Sequence, residues 1–275
     1  MVQTDYEALM TIAAHPDSVG REVLFEVDGH VATVVLNRPD KRNAINGAVT
    51  QAMSWILDKI EADPDIRVAI LTSSIDSTFS AGADLAEIAK GNAASLSTEK
   101  GGFAGFANYP RTIPMIAAVT GNALAGGCEL ALACDMIVAD PGARFGLPEV
   151  KRGLFAAANG VFRLVRALPR NIAIEVILSG DPISAQRAFD LGLINRIAPT
   201  EDVRDEARKL ADAIAVNAPL SVRESLRVAR LAFDLDEDGL REESRKAAAT
   251  TFSSDDAREG PRAFLEKRPP VWKGR

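Results

Sequence analysis

Two glutamates have neighbours that point to chemistry, Glu129 and Glu149. Glu129 ends the run Gly121-Asn122-Ala123-Leu124-Ala125-Gly126-Gly127-Cys128-Glu129. There an apolar strand meets glycines that turn the chain and open a helix. Free backbone amides at a helix N-terminus carry partial positive charge. They can hold a carbonyl oxygen that becomes negative during a reaction. Glu129 lies in the first turn among apolar residues, so its carboxyl faces a desolvated space. The plainer reading is a carboxylate serving only the helix dipole. Against it, a near-buried carboxylate is costly without a purpose. Glu149 follows Pro148 and precedes the apolar Gly153-Leu154-Phe155. Its plainer reading is a surface carboxylate paired with Lys151 or Arg152. Spacing alone does not bring the two glutamates together.

A third stretch is Phe79-Ser80-Ala81-Gly82-Ala83-Asp84-Leu85-Ala86-Glu87. Its small residues let a ligand approach the backbone closely. Asp84 with Glu87 resembles a capping box opening a helix, although Ser or Thr is the usual cap. The alternative is an ordinary strand–turn–helix connection.

These residues need elements to hold them. Residues 23–27 and 31–36 flank Asp28-Gly29-His30 and predict a hairpin. Val49, Ala52, Met53, Ile56, Leu57 and Ile60 fall on one face of an amphipathic helix. Residues 68–72, 114–119 and 136–138 are short apolar runs that predict buried strands. Strands alternating with helices imply crossovers and a mainly parallel sheet, an α/β fold. After Pro199, Val203, Ala207, Leu210, Ala211 and Ile214 have helical spacing, as do Val222, Leu226, Ala229 and Phe233. Residues 234–243 read as an acidic, exposed turn. The predicted organisation is a lead-in over 1–20, an α/β core over 21–199 and a helical region over 200–275.

Composition limits the function. The chain has 275 residues, 47% hydrophobic and 25% charged, enough for one large domain with a sizeable core. Its two cysteines, Cys128 and Cys134, form no CxxC, so neither a disulfide framework nor a zinc site is expected. The net charge of −6 and 5% aromatics argue against nucleic acid. The start lacks a basic and apolar leader, which predicts a cytoplasmic protein. The most apolar stretch, 115–133, contains Glu129, Asn122 and three glycines, which argues against a membrane span. Residues 261–275 hold five basic side chains against Glu266 alone. Such a tail is either a solvated terminus or a site for an anionic ligand.

Together these motifs resemble the crotonase (enoyl-CoA hydratase/isomerase) superfamily, over residues 22–275. Leu36-Asn37-Arg38-Pro39 with Asn43-Ala44 resembles its opening motif. Residues 79–84 resemble its F-x-A-G-x-D loop. Residues 116–135 resemble its long glycine-rich signature, and 145–149 its F-x-x-P-E segment. Several ordered motifs over a hundred residues are more specific than any one.

The resemblance implies a crotonase-like ββα spiral core with a C-terminal helical trimerisation region. It implies an enoyl-CoA hydratase, a lyase of lipid metabolism. Ala83 and Gly126 match the two N–H donors of the family's oxyanion hole, with Ala81, Gly82 and Asp84 beside them at the substrate. Glu129 and Glu149 match the two catalytic carboxylates. Phe264 and Lys267, on the last helix, match residues that contact the CoA nucleotide. That helix can serve a neighbour's site; its plainer reading makes Phe264 an apolar anchor. No metal or other cofactor is implied, because coenzyme A is part of the substrate. A homotrimer or dimer of trimers is implied, with no nucleic-acid or membrane partner. His15 and His30 match no catalytic position.

The sequence departs from the family pattern at two places. Ala125 replaces the first of three glycines. Residues 155–160, Phe155-Ala156-Ala157-Ala158-Asn159-Gly160, stand where the family often has a proline and paired glycines; this segment is expected to line the acyl pocket. Hydration of a trans-2-enoyl thioester is the first reading. A carnitinyl-CoA-type dehydratase is close behind, because residues 264–275 resemble those enzymes too. An enoyl-CoA isomerase ranks third, and a non-catalytic acyl-CoA- or RNA-binding relative is the alternative from another class.

Overall fold

A computed structural model of the chain describes residues 19–275. The expectations for His15 and most of the lead-in lie outside the described residues. In chain order the elements are β1 (Val23–Asp28), β2 (Val31–Leu36), α1 (Gly47–Ala62), β3 (Val68–Ser73), β4 (Thr78–Ser80), α2 (Leu85–Ala89), β5 (Ser97–Thr98), β6 (Gly102–Phe103), β7 (Met115–Val119), β8 (Asn122–Leu124), α3 (Gly126–Ala133), β9 (Met136–Ala139) and β10 (Arg144–Gly146). There follow α4 (Gly160–Ala167), α5 (Arg170–Ser179), β11 (Ile183–Ser184), α6 (Ala185–Asp190), β12 (Arg196–Ile197), α7 (Val203–Ala215), α8 (Pro219–Arg230), α9 (Glu237–Phe252) and α10 (Asp255–Glu266).

β1 and β2 pair antiparallel with Asp28 opposite Val31, so the chain reverses at Gly29-His30. His30 is structural here: its Nδ1 donates to the Asp65 carbonyl at 2.7 Å. β3, β7, β9 and β12 add in parallel to make a six-stranded sheet in the order β1-β2-β3-β7-β9-β12. A second sheet runs β11-β10-β8-β4. β3-β4, β7-β8 and β9-β10 each place one strand in the large sheet and the next in the small one. This is the expected spiral, and it stacks the three strand-to-loop transitions side by side.

All six residues of β3 are buried, as suits a strand covered on both faces. On one face lies α1, whose Val49, Ala52, Met53, Ile56, Leu57 and Ile60 are all buried. Its N-cap Asn46 accepts from the Val49 amide at 2.8 Å. On the other face α7 packs Val203, Ala207 and Ala211 against Val31, Val68, Ile70, Ile116 and Val138. Residue 200 marks a change of composition, yet the first long helix beyond it closes the core.

Two expectations need correction. The helix expected to reach Phe233 ends at Arg230, and Phe233 is exposed. The acidic stretch 234–243 is not all turn, because α9 begins at Glu237. Asp236 caps it by accepting from the Gly239 amide at 2.9 Å, and Glu237 and Asp238 occupy its first turn. Acidic residues are favoured there by the helix dipole. The charge that suggested a loop marks a helix start.

The C-terminal residues fold back on α10. Buried Asp256 accepts from the amides of Lys273 and Gly274 at 2.7 and 3.0 Å. The Trp272 indole donates to the Val216 carbonyl at 2.8 Å. Among the described residues, no helix is long and apolar enough to cross a membrane.

Candidate active site

The site is assembled where three segments meet: the loop after β4, the start of α3, and the residues after β10. Asn43 holds the first of these. Its buried side-chain amide donates to Ser73 Oγ at 2.7 Å and to the Phe79 carbonyl at 3.1 Å. Ser80 Oγ in turn donates to the Asn43 carbonyl at 2.8 Å. Arg38 pairs with Asp84 at 3.1 Å. The opening motif therefore acts as a brace for residues 79–84.

The brace leaves one amide of that loop uncommitted. Ala81 N–H donates to the Arg42 carbonyl, and Gly82 N–H to Ser80 Oγ. Ile45 N–H donates to Gly82 O at 2.8 Å, and Asp84 N–H donates to Ile45 O at 2.9 Å. Ala83 is thus bridged to Ile45 in the parallel manner, through its neighbours. Its own N–H points to the other side, as alternation along an extended chain requires. No group among the described residues accepts from it.

Asp84 caps α2 by accepting from the Ala86 amide at 3.1 Å. The expected capping box is only half formed. Glu87 pairs with Lys90 and Asn92 instead of reaching back, and the Asp84 amide is already taken by Ile45.

The second uncommitted amide is that of Gly126, the first residue of α3. Ala125 N–H donates to the Gly146 carbonyl and Glu129 N–H to the Ala125 carbonyl, but Gly126 N–H has no acceptor among the described residues. The two loops touch: a Cβ on Gly82 would lie 2.6 Å from the Gly126 nitrogen. A Cβ on Gly126 would lie 2.6 Å from Phe103 Cε1. Glycine is required at both positions by this close approach. Phe103 forms a wall at this point, a residue the sequence reading missed.

Glu129 is one helical turn beyond Gly126 and 3% exposed. Its Oε1 accepts from the Gly160 amide at 2.8 Å. Burial raises its pKa to about 7, and the Glu149 charge adds to the rise. The Gly160 N–H, an Ala158 backbone contact and the Arg163 guanidinium act in the opposite sense. Glu149 is half-buried in the turn Pro148–Arg152. Its pKa is also raised, chiefly by burial, and Arg152 opposes the rise. Its Oε2 is fully buried with no hydrogen-bond partner among the described residues. The Glu149 charge therefore bears on Glu129, a link that spacing could not establish.

Phe264 and Lys267 lie at the end of α10. Phe264 is 83% exposed on α10, and Lys267 ends that helix in a left-handed conformation. No hydrogen bond or ion pair from residues 255–267 reaches the loops of Ala83, Gly126, Glu129 or Glu149 among the described residues. Most of the basic tail is internally paired: Arg262 with Glu266, Arg268 with Glu259 and Glu266, and Lys273 and Arg275 with Asp255. Lys267 has no such pair among the described residues.

The enoyl-CoA hydratase/isomerase family profile matches residues 26–275. The chain belongs to this family. It is 40% identical over 252 residues to a carnitinyl-CoA dehydratase from Proteus mirabilis, spanning 90% of this chain and 96% of that relative. The crystal structure of an enoyl-CoA hydratase from Mycobacterium tuberculosis superposes with a TM-score of 0.89. It is 42% identical, over 92% of this chain and 99% of that one. A carnitinyl-CoA hydratase from Mycobacterium avium is 44% identical, over 93% and 99% of the two chains, with a TM-score of 0.73. The spiral core is the fold of the enoyl-CoA hydratase/isomerase family, and the chain is a hydratase- or dehydratase-type lyase of it.

Proposed function

We propose that the protein adds water reversibly across the 2,3 double bond of a trans-2-enoyl-CoA, giving a 3-hydroxyacyl-CoA. The observation that carries this reading is the pairing of two uncommitted amides, Ala83 and Gly126, with one buried and one half-buried carboxyl whose pKa values are both raised. The thioester carbonyl accepts from both amides. As charge moves onto its oxygen, these fixed donors stabilise the enolate; one such donor is typically worth about 10²–10³ in turnover.

Glu129, ionised, takes a proton from water as the water oxygen attacks C3. The π electrons of the double bond move through C2 onto the thioester oxygen. Glu149, in the microstate of the pair in which it holds the proton, then returns that proton to C2 as the carbonyl re-forms. A base near pKa 7 is well matched to neutral pH. Two interacting carboxyls titrate as a pair, so one can be acid while the other is base. The reaction as written uses no metal or redox cofactor, and coenzyme A enters as part of the substrate.

A carnitinyl-CoA-type dehydratase is the second reading, favoured by the names of the relatives. It runs the same steps in reverse from a substituted 3-hydroxyacyl-CoA. We further propose that α8–α10 mediate a trimer or a dimer of trimers. The exposure of Phe233, Phe252, Phe264 and Leu265 supports this, and light scattering on the purified protein tests it.

The deciding experiment follows loss of the conjugated thioester absorbance with short- and long-chain 2-enoyl-CoA and with carnitinyl-CoA in reverse. Glu129→Gln and Glu149→Gln should each abolish turnover. Undiminished turnover in both variants overturns the two-carboxylate mechanism. Tight CoA-thioester binding without turnover by the wild type makes the protein a binder.

A further inference from the structure

We propose that Asn159 is a positioning residue for Glu129, acting through a two-point tie between the start of α4 and the loop of residues 101–109. The inference rests on the assignment of Glu129 as a reacting group.

Asn159 has φ 79° and ψ 7°, a left-handed conformation that asparagine tolerates better than other side-chain-bearing residues. It occupies the cap position of α4, yet its side chain caps none of that helix's amides. Its Nδ2 donates instead to Asn108 Oδ1. One turn further along α4, Arg163 Nη2 donates to the Ala107 carbonyl at 2.7 Å. Between these anchors sits Gly160, whose amide holds Glu129 Oε1.

The loop that receives both ties is itself fixed. Asn108 N–H donates to the Gly101 carbonyl at 2.8 Å and Ala107 N–H to the Phe103 carbonyl at 3.0 Å. Arg111 Nη1 donates to the Phe106 carbonyl at 3.1 Å. The same loop carries Phe103, whose ring lies against Gly126. The connections therefore close into a ring. Glu129 leads to Gly160, through Asn159 to Asn108, back to Phe103, across to Gly126, and along α3 to Glu129. The oxyanion amide and the base are fixed relative to each other by one circuit of contacts.

A carboxylate accepting a backbone N–H is favoured in its ionised form. If the tie is cut, the Gly160 amide moves and that preference weakens. The other groups bearing on Glu129 are Glu149 in the turn after β10, Arg163 on α4, and the Ala158 backbone. Glu149 lies outside the tie, whereas Ala158 adjoins Asn159 and Arg163 is the tie's second anchor, so the midpoint reads the whole tie and not the Gly160 amide alone.

The test uses Asn159→Gly, Asn108→Ala and the double variant. Glycine suits the left-handed backbone at 159, so the fold is not challenged; circular dichroism and melting curves check this. Turnover of a short trans-2-enoyl-CoA should fall about tenfold in kcat for each single variant, with KM within about twofold, as expected for a displaced catalytic group. The double variant should be no worse than either single, because both cut one tie. The Glu129 midpoint should rise by about one unit, read by carbon-13 NMR of the glutamate carboxyls with Glu129→Gln as the assignment control.

An unchanged midpoint in both single variants overturns the proposal, as do additive losses or a loss confined to KM. The titration needs no turnover. If the wild type hydrates no enoyl-CoA, the function proposed above fails, while the midpoint still decides whether Asn159 positions Glu129.

Discussion

Gly160 donates its backbone N–H to Oε1 of Glu129 at 2.8 Å, and a methyl group at position 160 would lie 2.9 Å from that same oxygen. It would also lie 2.8 Å from Glu129 Cγ and 2.9 Å from Leu147 Cδ2. Gly160→Ala must therefore push the carboxyl out of place. Turnover should fall by about 10², the scale of a displacement near 1 Å in a reacting group. Steady-state kinetics beside a melting curve checks this; an equal loss of fold would make the effect structural.

The raised pKa of Glu129 has a consequence for stability. In the fold this carboxyl keeps its proton up to about 7, against 4.5 ordinarily. The native state thus binds more protons between those values. The stability this contributes is complete below 4.5 and lost as the pH rises to about 7. Glu129→Gln removes the buried ionisation, so it should stabilise more at pH 8 than at pH 5. The difference has an upper limit on the order of 3 kcal/mol. Equal shifts at both pH values would contradict the assignment.

Ala125 occupies φ 52° and ψ −129°, a region suited to glycine. The strain is of order 1–3 kcal/mol, partly offset by glycine's extra freedom in the unfolded chain. Ala125→Gly should therefore raise the denaturation midpoint, by a net of about 1 kcal/mol. A lower midpoint would show that the alanine methyl contributes more in packing than its backbone costs.

Gly126→Ala should drive a methyl into the Phe103 ring. Turnover should drop by about 10²–10³, as if an oxyanion donor were lost. Adding Phe103→Ala to it should restore part of the rate. If the double variant is no better than Gly126→Ala alone, the ring is not the obstacle.

Lys267 is the tail's unpaired cation among the described residues. If α10 contacts the CoA nucleotide, Lys267→Glu should raise KM for CoA thioesters about tenfold, with kcat unchanged. An unchanged KM returns the tail to the role of a solvated terminus.

The long strands and helices were legible because they repeat. α1 advertises six apolar residues on one face, and β3 opens on four apolar residues, Val68 to Leu71. β4, β8 and β10 were not legible, because three residues carry no period, yet they carry the chain into the loops of the candidate site. Ala83 and Gly126 followed from the resemblance and Glu149 from its motif, but the physical reason lay in long-range contacts. Asn43 reaches Ser73 and Phe79, Ile45 brackets Ala83, and Gly160 reaches Glu129. Phe103 and Asn108 gave no signal, since one aromatic and one amide in a glycine-rich loop look like any turn. The segment 155–160 did stand out as a departure from the family pattern, although nothing within it singled out Asn159 or named its partner. The acidic run before α9 misled because caps and loops draw on the same residues.

The bridge between Ala83 and Ile45 carries a lesson for mutational scanning. A donor built from the main chain is untouched when its side chain is exchanged, so a survey of substitutions at Ala83 would score it as permissive. Proline is the exception, because it removes the N–H itself. Gly126 would score as intolerant, but for crowding against Phe103. One half of the proposed oxyanion hole would thus look dispensable and the other merely sterically fussy, although both offer the same kind of donor. Replacing the Ala83 amide by an ester through chemical synthesis would expose what the genetic survey conceals.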